Sequence, residues 1–432
     1  MSEIISIIIS VILSLLLPLQ GYFPDDVIKS LEDINGTIFY NDGAVNVEKI
    51  KTDNNEYFYQ TLNLLYEDLN DTVIDNNCSE EDGNLLLYFN DKNTPVIVVL
   101  KDYTENEKIK VEKESELHLN KKTLSIRNTH TGFELKDRNN EYSSLKVFGK
   151  NACIEMANDH AAMFVTYENT RLEIYAGTYI TESLGTEVDE NWLSPSGRKY
   201  ETRGIYTSKG DVYVENAYIL TFCDNGNSYG IMNYGNIDVK NTYINSDAKY
   251  SDDGVNYIYL SVGIQNVGKA NIVNCDITGT HSGISSYGEL SIDGGTYRSC
   301  GHGGIYFCGS DTESYVKNAK IIDEKYMGKY DVLESTYNGA GFYIGGSLIA
   351  KNITVYMDNC EMYGEKYPFV LRGSSGEQNI KLYISNSLIN IDEKAKIRID
   401  NDTHTLYIGE NCNFKAEDTT RPLRVIYTNE KY

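Results

Sequence analysis

The chain has 432 residues, of which 63 are aspartate or glutamate and 39 are lysine or arginine, so its formal net charge is −24. This acidity argues against nucleic acid and anionic lipid as partners, because both attract clustered basic side chains. Apolar residues make up 41% of the chain, which is enough for a folded core, and its 36 tyrosines favour strands.

Residues 1–21 are predicted to form an apolar helix that runs from Ile4 to Leu17 and ends at Pro18. Its serines recur every four residues, along one helical face. The segment begins with Glu3 and no basic residue, shows no small-x-small cleavage site, and is shorter than the roughly 20 residues of a membrane span. Two interpretations stay open: an assembly helix, or a signal or anchor.

Residues 22–95 are predicted to form a small mixed α/β segment. Apolar residues at helical spacing within 55–71 indicate one amphipathic helix. Runs at 37–40 and 85–89 indicate short strands around it. The remainder, residues 96–432, is predicted to form one elongated repeat domain.

A recurring unit in this domain consists of a strand, a bend at asparagine, a small residue and a second short strand. Asparagine tolerates the left-handed conformation that the bend needs, and its amide can bond to the copy on the next rung. The predicted asparagine ladder comprises Asn216, Asn241, Asn274, Asn318, Asn359, Asn386 and Asn411.

Two side-chain columns are predicted beside this ladder. The column of large inward residues comprises Ile219, Ile244, Ile277, Tyr297, Ile321, Met362, Ile389 and Phe414. The column of small residues comprises Ala217, Thr242, Cys275, Thr296, Ala319, Cys360, Ser387 and Cys412.

A glycine followed by an apolar residue precedes most repeats, and the spacing from Gly263 to Gly283 is 20 residues. Such a rung is too short to contain a helix. Longer spacings predict loop insertions near 181–203, 245–261 and 322–340, because a solenoid rung contacts only its neighbours. The predicted fold is therefore all-β, a parallel β-helix whose rungs stack at roughly 4.8 Å.

The Gly-Ile and Asn-small-x-Ile repeats resemble those of the single-stranded right-handed parallel β-helix of the pectate-lyase-like superfamily, over roughly residues 96–420. This resemblance implies a right-handed solenoid. Families with the fold include pectin-degrading lyases and hydrolases, bacterial surface adhesins, and phage tailspikes and tail fibres, to which the chain is most similar.

Eight cysteines are present, with no CxxC pair and no zinc-ligand spacing with histidine. Free, buried thiols are therefore predicted, and no metal and no cofactor.

The candidate catalytic residues lie in or near the insertions. Gly301-His302-Gly303 resembles the Gly-His-Gly element of polygalacturonases, and Asp252-Asp253 resembles their aspartate pair, although His302 follows Asp253 by 49 residues. Asp189 and Glu190 form another acidic group, and a glycosidase needs two carboxylates at about 5 Å or about 6.5–9.5 Å. The alternatives are a glycine-rich turn with an exposed histidine, and solvated surface carboxylates.

The insertion at 181–203 contains the only tryptophan of the chain, Trp192, near Arg198 and Arg203, and Tyr206 follows it. An aromatic ring stacks on a pyranose, and an arginine pairs with a uronate carboxylate, so these four residues are the predicted glycan-binding group. The alternative is that Trp192 attaches the loop to the solenoid. Other tyrosines are predicted at outward strand positions, as a glycan or subunit surface or as sheet-strengthening ladders: Tyr213, Tyr234, Tyr243, Tyr287, Tyr306, Tyr315, Tyr343, Tyr356, Tyr383 and Tyr407.

The resulting hypothesis is a phage virion surface protein, tailspike-like or tail-fibre-like, that binds host-surface polysaccharide through its β-helix. It would assemble as a homotrimer and contact other virion proteins through its N-terminal region. The alternatives are a secreted or membrane-tethered polysaccharide lyase or glycoside hydrolase, and a non-catalytic surface adhesin. Whether the chain is an enzyme stays open.

Overall fold

A computed structural model of the chain describes residues 36–40, 43–47, 96–99, 102–119, 121–137, 141–158, 161–183, 201–224, 226–248, 261–299, 303–323, 340–345, 350–364, 367–372, 378–390 and 397–429. The predicted helices at 1–21 and within 55–71 lie outside these residues. The chain divides into two compact units, 1–35 with 47–76 and 36–46 with 77–432. Apart from Val47, every described residue belongs to the second unit.

The described elements are almost all strands. In chain order they are β1 Gly36–Tyr40, β2 Gly43–Val47, β3 Val96–Val99, β4 Tyr103–Glu105, β5 Ile109–Val111, β6 Glu114–His118, β7 Thr123–Ile126, β8 Thr131–Leu135, β9 Ser143–Phe148, β10 Cys153–Asn158, β11 Ala161–Thr166, β12 Thr170–Ser183, β13 Glu201–Thr207, β14 Asp211–Cys223, β15 Asn227–Asn233, β16 Asn236–Lys240, β17 Tyr243–Ala248, β18 Ser261–Asn266, β19 Lys269–Gly279, β20 Ser282–Ser286, β21 Glu289–Ser299, β22 Gly303–Phe307, β23 Glu313–Lys317, β24 Lys320–Asp323, β25 Ala340–Gly345, β26 Thr354–Asp358, β27 Glu361–Gly364, β28 Tyr367–Arg372, β29 Lys381–Ser385, β30 Leu388–Ile389, β31 Arg398–Ile399, β32 Thr405–Ile408 and β33 Val425–Tyr427.

These strands stack in three columns, which form the three faces of a solenoid. The first face comprises β1, β3, β6, β9, β16, β23, β26, β29, β32, β33 and the first halves of β12, β14, β19 and β21. The second face comprises β4, β7, β10, β17, β24, β27, β30 and the second halves of the same four long strands. The third face comprises β5, β8, β11, β13, β15, β18, β20, β22, β25, β28 and β31.

The registers described for the strands of these faces are all parallel, each strand with its copies on the rungs before and after it. A chain that visits three faces in turn and returns to pair in parallel with itself is a parallel β-helix. The predicted fold class is confirmed. Strand β1 pairs in parallel with β3, so part of the predicted 22–95 segment joins the first face.

The core is a set of inward columns in register. Ile219 pairs with Ile244, which pairs with Ile277, and the column continues through Tyr297 to Ile321. All of its predicted members are at most 2% exposed. Each buried aliphatic side chain contributes roughly 1.5–3 kcal/mol, so this column is a main source of stability.

The small-residue column needs one correction. Gly295, and not Thr296, stands opposite Cys275, while Thr296 pairs with Asp276 and faces outward. Gly294 and Gly295 have φ of 77° and 94°, so this rung makes its bend with two glycines. The predicted small-residue position of this rung was therefore one residue too late.

The asparagine bend between the first two faces recurs as a backbone feature. The seven asparagines of the predicted ladder have φ between 47° and 57°. The Asn359 amide donates to Asn318 Oδ1 at 2.7 Å, and the Asn411 amide donates to Asn386 Oδ1 at 2.8 Å. Other rungs use an aspartate as acceptor, as Asn318 does with Asp293 at 2.6 Å.

The glycines of the Gly-Ile repeat lie on the third face, where the chain approaches the second face closely. A Cβ on Gly230 would stand 2.3 Å from Ile244 Cγ2 and 2.5 Å from the carbonyl oxygen of Gly263. Glycine therefore recurs here because a side chain would displace the isoleucine column.

A second asparagine ladder is buried at the corner between the third and first faces. The Asn233 amide donates to Asn266 Oδ1 at 2.7 Å, and the Asn266 amide donates to Ser286 Oγ at 3.0 Å. Gly235 and Gly268 stack beside it, and a Cβ on Gly268 would stand 2.0 Å from the Gly235 carbonyl oxygen. The sequence reading did not predict this ladder, because buried polar residues do not follow the alternating pattern.

The last described residues cap the C-terminal end of the solenoid. They contain two short 3-10 helices, Ala416–Asp418 and Pro422–Arg424. Arg421 donates to the carbonyl oxygens of Ile399 and Asp400, each at 3.0 Å. The Asn413 side chain bonds to both the N–H and the carbonyl of Ile389 at 2.8 Å. Edge groups of β30 and β31 thus find partners within the chain.

Candidate functional site

The three long connections all leave the solenoid at the same corner. Residues 184–200 connect β12 to β13, residues 249–260 connect β17 to β18, and residues 324–339 connect β24 to β25. In each case a strand of the second face leads to a strand of the third face. We call the described residues at which the second face meets the third in four successive rungs (181–183, 201–203, 221–224, 227–229, 246–248, 261–262 and 280–282) the insertion corner.

Most of the predicted site residues belong to segments that connect the second face to the third at this corner. Asp189, Glu190, Trp192 and Arg198 belong to the first connection, Asp252 and Asp253 to the second, and His302 to the short connection before β22. All seven lie outside the described residues. Arg203 and Tyr206 are described, and both stand on β13.

Arg203 and Tyr206 contact each other on the outer side of the third face. The Arg203 guanidinium carbon lies 4.7 Å from the centroid of the Tyr206 ring. Arg203 Nη2 also donates to Glu201 Oε2 in an ion pair whose side chains are only 11% and 1% exposed. The positive charge of Arg203 is therefore balanced within the protein, and the guanidinium covers one side of the tyrosine ring.

Tyr206 belongs to an aromatic cluster that is separate from the main core. Its ring meets the ring of Tyr234 edge-on, with 5.9 Å between centroids. Tyr229, Met232 and Val262 are buried, and Tyr206 packs against them. Tyr234 is 41% exposed, and burial of its remaining part raises its pKa. The cluster thus presents an open aromatic edge on the outer side of the third face.

A network of buried hydroxyls holds the strands together at the insertion corner. Thr221, Ser228 and Ser246 form a closed triangle of hydrogen bonds with distances of 2.9–3.0 Å. Ser261 Oγ donates to the Ser246 carbonyl at 2.5 Å. Because these bonds join strands of the second and third faces, they fix the corner from which the insertions leave.

The other described charges at the corner are acidic. They belong to Glu182, Asp224 and Asp247, all half-buried. Asp247 Oδ1 accepts hydrogen bonds from Thr280 Oγ1 and from the Ala248 N–H, both at 2.8 Å.

Glu182 was not singled out in the sequence, and it lies beside a second glutamate. Burial, and then the charge of Glu155, raise the pKa of Glu182, while Arg127 acts in the opposite direction. Glu155 accepts a hydrogen bond from Ser125 Oγ at 2.7 Å and forms an ion pair with Arg127. Glu182 pairs in register with Ala157, two residues after Glu155. The sequence feature that could have identified Glu182 is its position at the end of a strand that leads into an insertion.

The tyrosines of the first face form a ladder rather than a sugar platform. Tyr315, Tyr356, Tyr383 and Tyr407 pair in register, and their ring centroids are 5.1, 4.9 and 4.1 Å apart. The planes are within 19° of parallel. Each ring face is covered by the next ring, so the edges are left for solvent. This geometry favours the sheet-strengthening interpretation of these tyrosines.

A further cluster of outward-pointing tyrosines on the third face, Tyr306 and Tyr343, is largely buried. Tyr343 is 0% exposed and accepts a hydrogen bond from Arg372 Nη1 at 2.7 Å. Tyr306 meets it edge-on at 5.0 Å. Tyr343 is therefore outward but buried, whereas the sequence predicted a surface residue.

Within the described ranges, no group of three or more His, Cys, Asp or Glu side chains is placed to hold a metal ion. Among the same residues, no helix has the length and apolarity that crossing a membrane requires. The described cysteines are free thiols: Cys153, Cys223, Cys275, Cys308, Cys360 and Cys412.

Comparisons with known proteins give one structural likeness. No family model matches the chain, and no curated protein matches it. Among solved structures, the crystal structure of the Dettilon tailspike protein (gp208) matches with 12% sequence identity and a TM-score of 0.34. The match covers 77% of this chain and 62% of the tailspike chain, so this chain spans less than two thirds of that protein's length.

Proposed function

We propose that this protein is a phage virion surface protein that binds a host-surface glycan through the third face of its parallel β-helix. The observation that carries the glycan-binding proposal is the Tyr206–Tyr234 cluster, an open aromatic edge on the outer side of this face. Trp192 and Arg198, in the first connection, are proposed as further contacts. The virion assignment rests on the resemblance that the sequence repeats carry.

Aromatic side chains suit sugars because the apolar face of a pyranose packs against a ring while its hydroxyls keep polar partners. Tyr234 supplies the exposed ring. Arg203 supports Tyr206 from one side and is itself held by Glu201. We assign Arg203 to positioning Tyr206 rather than to direct sugar contact.

The test is binding to an array of bacterial surface polysaccharides. We expect Tyr234→Ala to weaken binding about five- to tenfold, because one lost stacking contact is worth ~1–1.5 kcal/mol. Trp192→Ala should have a similar effect. The matched control is Tyr363→Ala, which removes an equally exposed tyrosine (41%) from the second face. Equal binding by Tyr234→Ala and the control would remove the aromatic edge from the site.

A second candidate function is hydrolysis of the bound glycan, favoured by the pair Glu155 and Glu182. Their Cα atoms are roughly 8 Å apart from strand geometry, which brings two carboxyls within reach of one glycosidic bond. Glu182, whose pKa is raised, would act as the general acid. Glu155, which forms an ion pair with Arg127, would supply the second carboxyl group.

Release of reducing ends from the bound polysaccharide tests this second function. Glu182→Gln and Glu155→Gln should each lower the rate by about 10²–10⁴-fold while binding persists. Full activity in both variants would exclude this pair and leave a hydrolase or lyase that uses other residues. No release of reducing ends by the unchanged protein would leave a pure adhesin. A homotrimer and contacts with other virion proteins are also proposed, and flanking tail and baseplate genes would support the virion location.

A further inference from the structure

The tyrosine ladder of the first face has one open end, at Tyr315. This ring stacks on Tyr356 with 5.1 Å between centroids and planes 15° apart, and no second ring among the described residues stacks on it. At the opposite end of the ladder, Tyr407 pairs in register with the aliphatic side chain of Ile426. Tyr356 and Tyr407 are half-buried, whereas Tyr315 is 41% exposed. Tyr315 is therefore the ladder ring that turns one of its faces to solvent.

The position beside this open face holds a small side chain. Ser291 pairs in register with Tyr315. Asn271 and then Asp238 precede it in the same outward column, and the next ring of the column belongs to Tyr213. Because rungs are roughly 4.8 Å apart, the two tyrosines at the ends of this gap stand roughly 19 Å apart. The floor between them is made of three side chains that are much shorter than tyrosine.

Polar groups surround the open face, and the ring itself is held in place. Glu289 and Asp293 flank Ser291 on strand β21, and all three residues are exposed. On the next rung, the Tyr315 hydroxyl donates a hydrogen bond to the Glu313 carboxylate. Stacking on one side and this hydrogen bond at the tip orient the ring before any ligand arrives, so that little side-chain freedom is lost on binding.

A pyranose ring matches both the apolar face and its polar surroundings. Its C–H groups pack against an aromatic ring, and its hydroxyls bond to the oxygen atoms around that ring. An apolar protein surface would instead cover the oxygens of Ser291, Glu289 and Asp293 without replacing their hydrogen bonds to water. The chemistry of this position therefore favours a sugar over an apolar protein partner.

We propose that Ser291 and the open face of Tyr315 form a sugar-binding subsite on the first face, in which a pyranose unit takes the place of the next ring of the ladder. The subsite rests on the proposed glycan binding and adds a second surface to it, away from the Tyr206–Tyr234 cluster. The gap between Tyr213 and Tyr315 spans several rungs, so the subsite has room for a unit within a longer chain.

The experiment measures binding of the full chain to the polysaccharide that it binds most tightly on an array of bacterial surface polysaccharides. Tyr315→Ala should weaken binding about five- to tenfold, because it removes one stacking contact. Ser291→Ile should weaken binding by a similar factor, because an aliphatic side chain then stands against the open ring face, as Ile426 stands beside Tyr407. Ser291→Ile leaves Tyr315 in place, so a purely structural role of Tyr315 predicts no loss in this variant.

Tyr363→Ala and Thr296→Ile are the matched controls and should bind like the unchanged protein. Tyr363 is as exposed as Tyr315, at 41%, and Thr296 faces outward from the second-face half of the strand that contains Ser291. Full binding by Tyr315→Ala or by Ser291→Ile would overturn the subsite, whatever the effect of Tyr234→Ala. Losses in both variants with full binding by Tyr234→Ala would support the subsite and remove the third-face contact. Absence of binding to every polysaccharide would refute the proposed function and the subsite together.

Discussion

Individual asparagines hold the bend that separates the first two faces. Asn359 has φ of 51°, is exposed, and donates through its amide to Asn318 Oδ1 at 2.7 Å on the neighbouring rung. Asn359 therefore adopts the left-handed backbone conformation of the bend and also links two neighbouring rungs by a hydrogen bond. Sequence reasoning reaches such residues because few side chains tolerate a left-handed backbone, so the residue type itself reports the conformation.

We expect Asn359→Ala to lower the free energy of unfolding by about 1–2 kcal/mol, because alanine is strained at positive φ. Asn359→Gly should cost less than half as much, since glycine loses the hydrogen bond but not the conformation. Guanidinium unfolding followed by circular dichroism measures both. Equal losses in the two variants would show that the hydrogen bond, and not the backbone, matters.

The buried thiols are predicted to be inert. Burial raises the pKa of Cys360 to about 12 and that of Cys275 to about 11. Both should therefore stay unlabelled by iodoacetamide at about pH 8.5 in the folded protein and react after unfolding. Peptide mass spectrometry reads this out, and labelling of Cys360 in the folded state would contradict it.

The same pKa values set the direction of a stability change with pH. A thiol whose pKa is higher in the folded state keeps its proton when the unfolded chain has lost it. Stability should therefore fall as pH rises above the unfolded value of about 8.5, up to the folded value. Cys275→Ala and Cys360→Ala together should weaken this dependence.

At the scale of elements, the tyrosine ladder of the first face strengthens the sheet. Tyr383 stacks on Tyr356 at 4.9 Å and on Tyr407 at 4.1 Å. Removing it by Tyr383→Ala should cost about 1–3 kcal/mol, from two aromatic contacts. Within the described residues, the Tyr363 ring does not stack on another aromatic ring. Tyr363→Ala should therefore lower the free energy of unfolding by less than about 1 kcal/mol. Thermal unfolding compares the two, and glycan binding should be unchanged in both.

Sequence patterns predicted the strands of the first two faces better than the polar interior. The column from Ile219 to Phe414 followed from a repeat of apolar residues after asparagine. Asn233 and Asn266 carry no such signal, because their burial depends on bonds made between rungs. The pair Glu201 and Arg203 could have been anticipated, since residues two apart on a strand share a side.

At the scale of the whole molecule, the residues that stabilise the rungs are separate from the residues of the long connections. Rungs pair through backbone bonds and inward columns, and the connections depart at one corner. We expect replacement of residues 184–200 by a short Gly-Ser linker to leave the circular dichroism spectrum unchanged and the melting temperature within a few degrees. Glycan binding should be lost. Loss of the fold would show that this connection is part of the frame.

Sedimentation tests the proposed assembly at the same scale. A trimer of the full chain would support it, and a monomer at micromolar concentration would exclude it.

The common departure point of the insertions has an evolutionary consequence. The stacking of the rungs fixes the positions of the two strands that flank each connection. A connection can therefore be replaced by one of different length and sequence without a matching change elsewhere in the chain. Recombination between related genes would therefore exchange a whole connection, together with the glycan contacts proposed for it, in a single event. The buried asparagine and glycine columns would meanwhile change slowly, since each substitution there disturbs two neighbouring rungs.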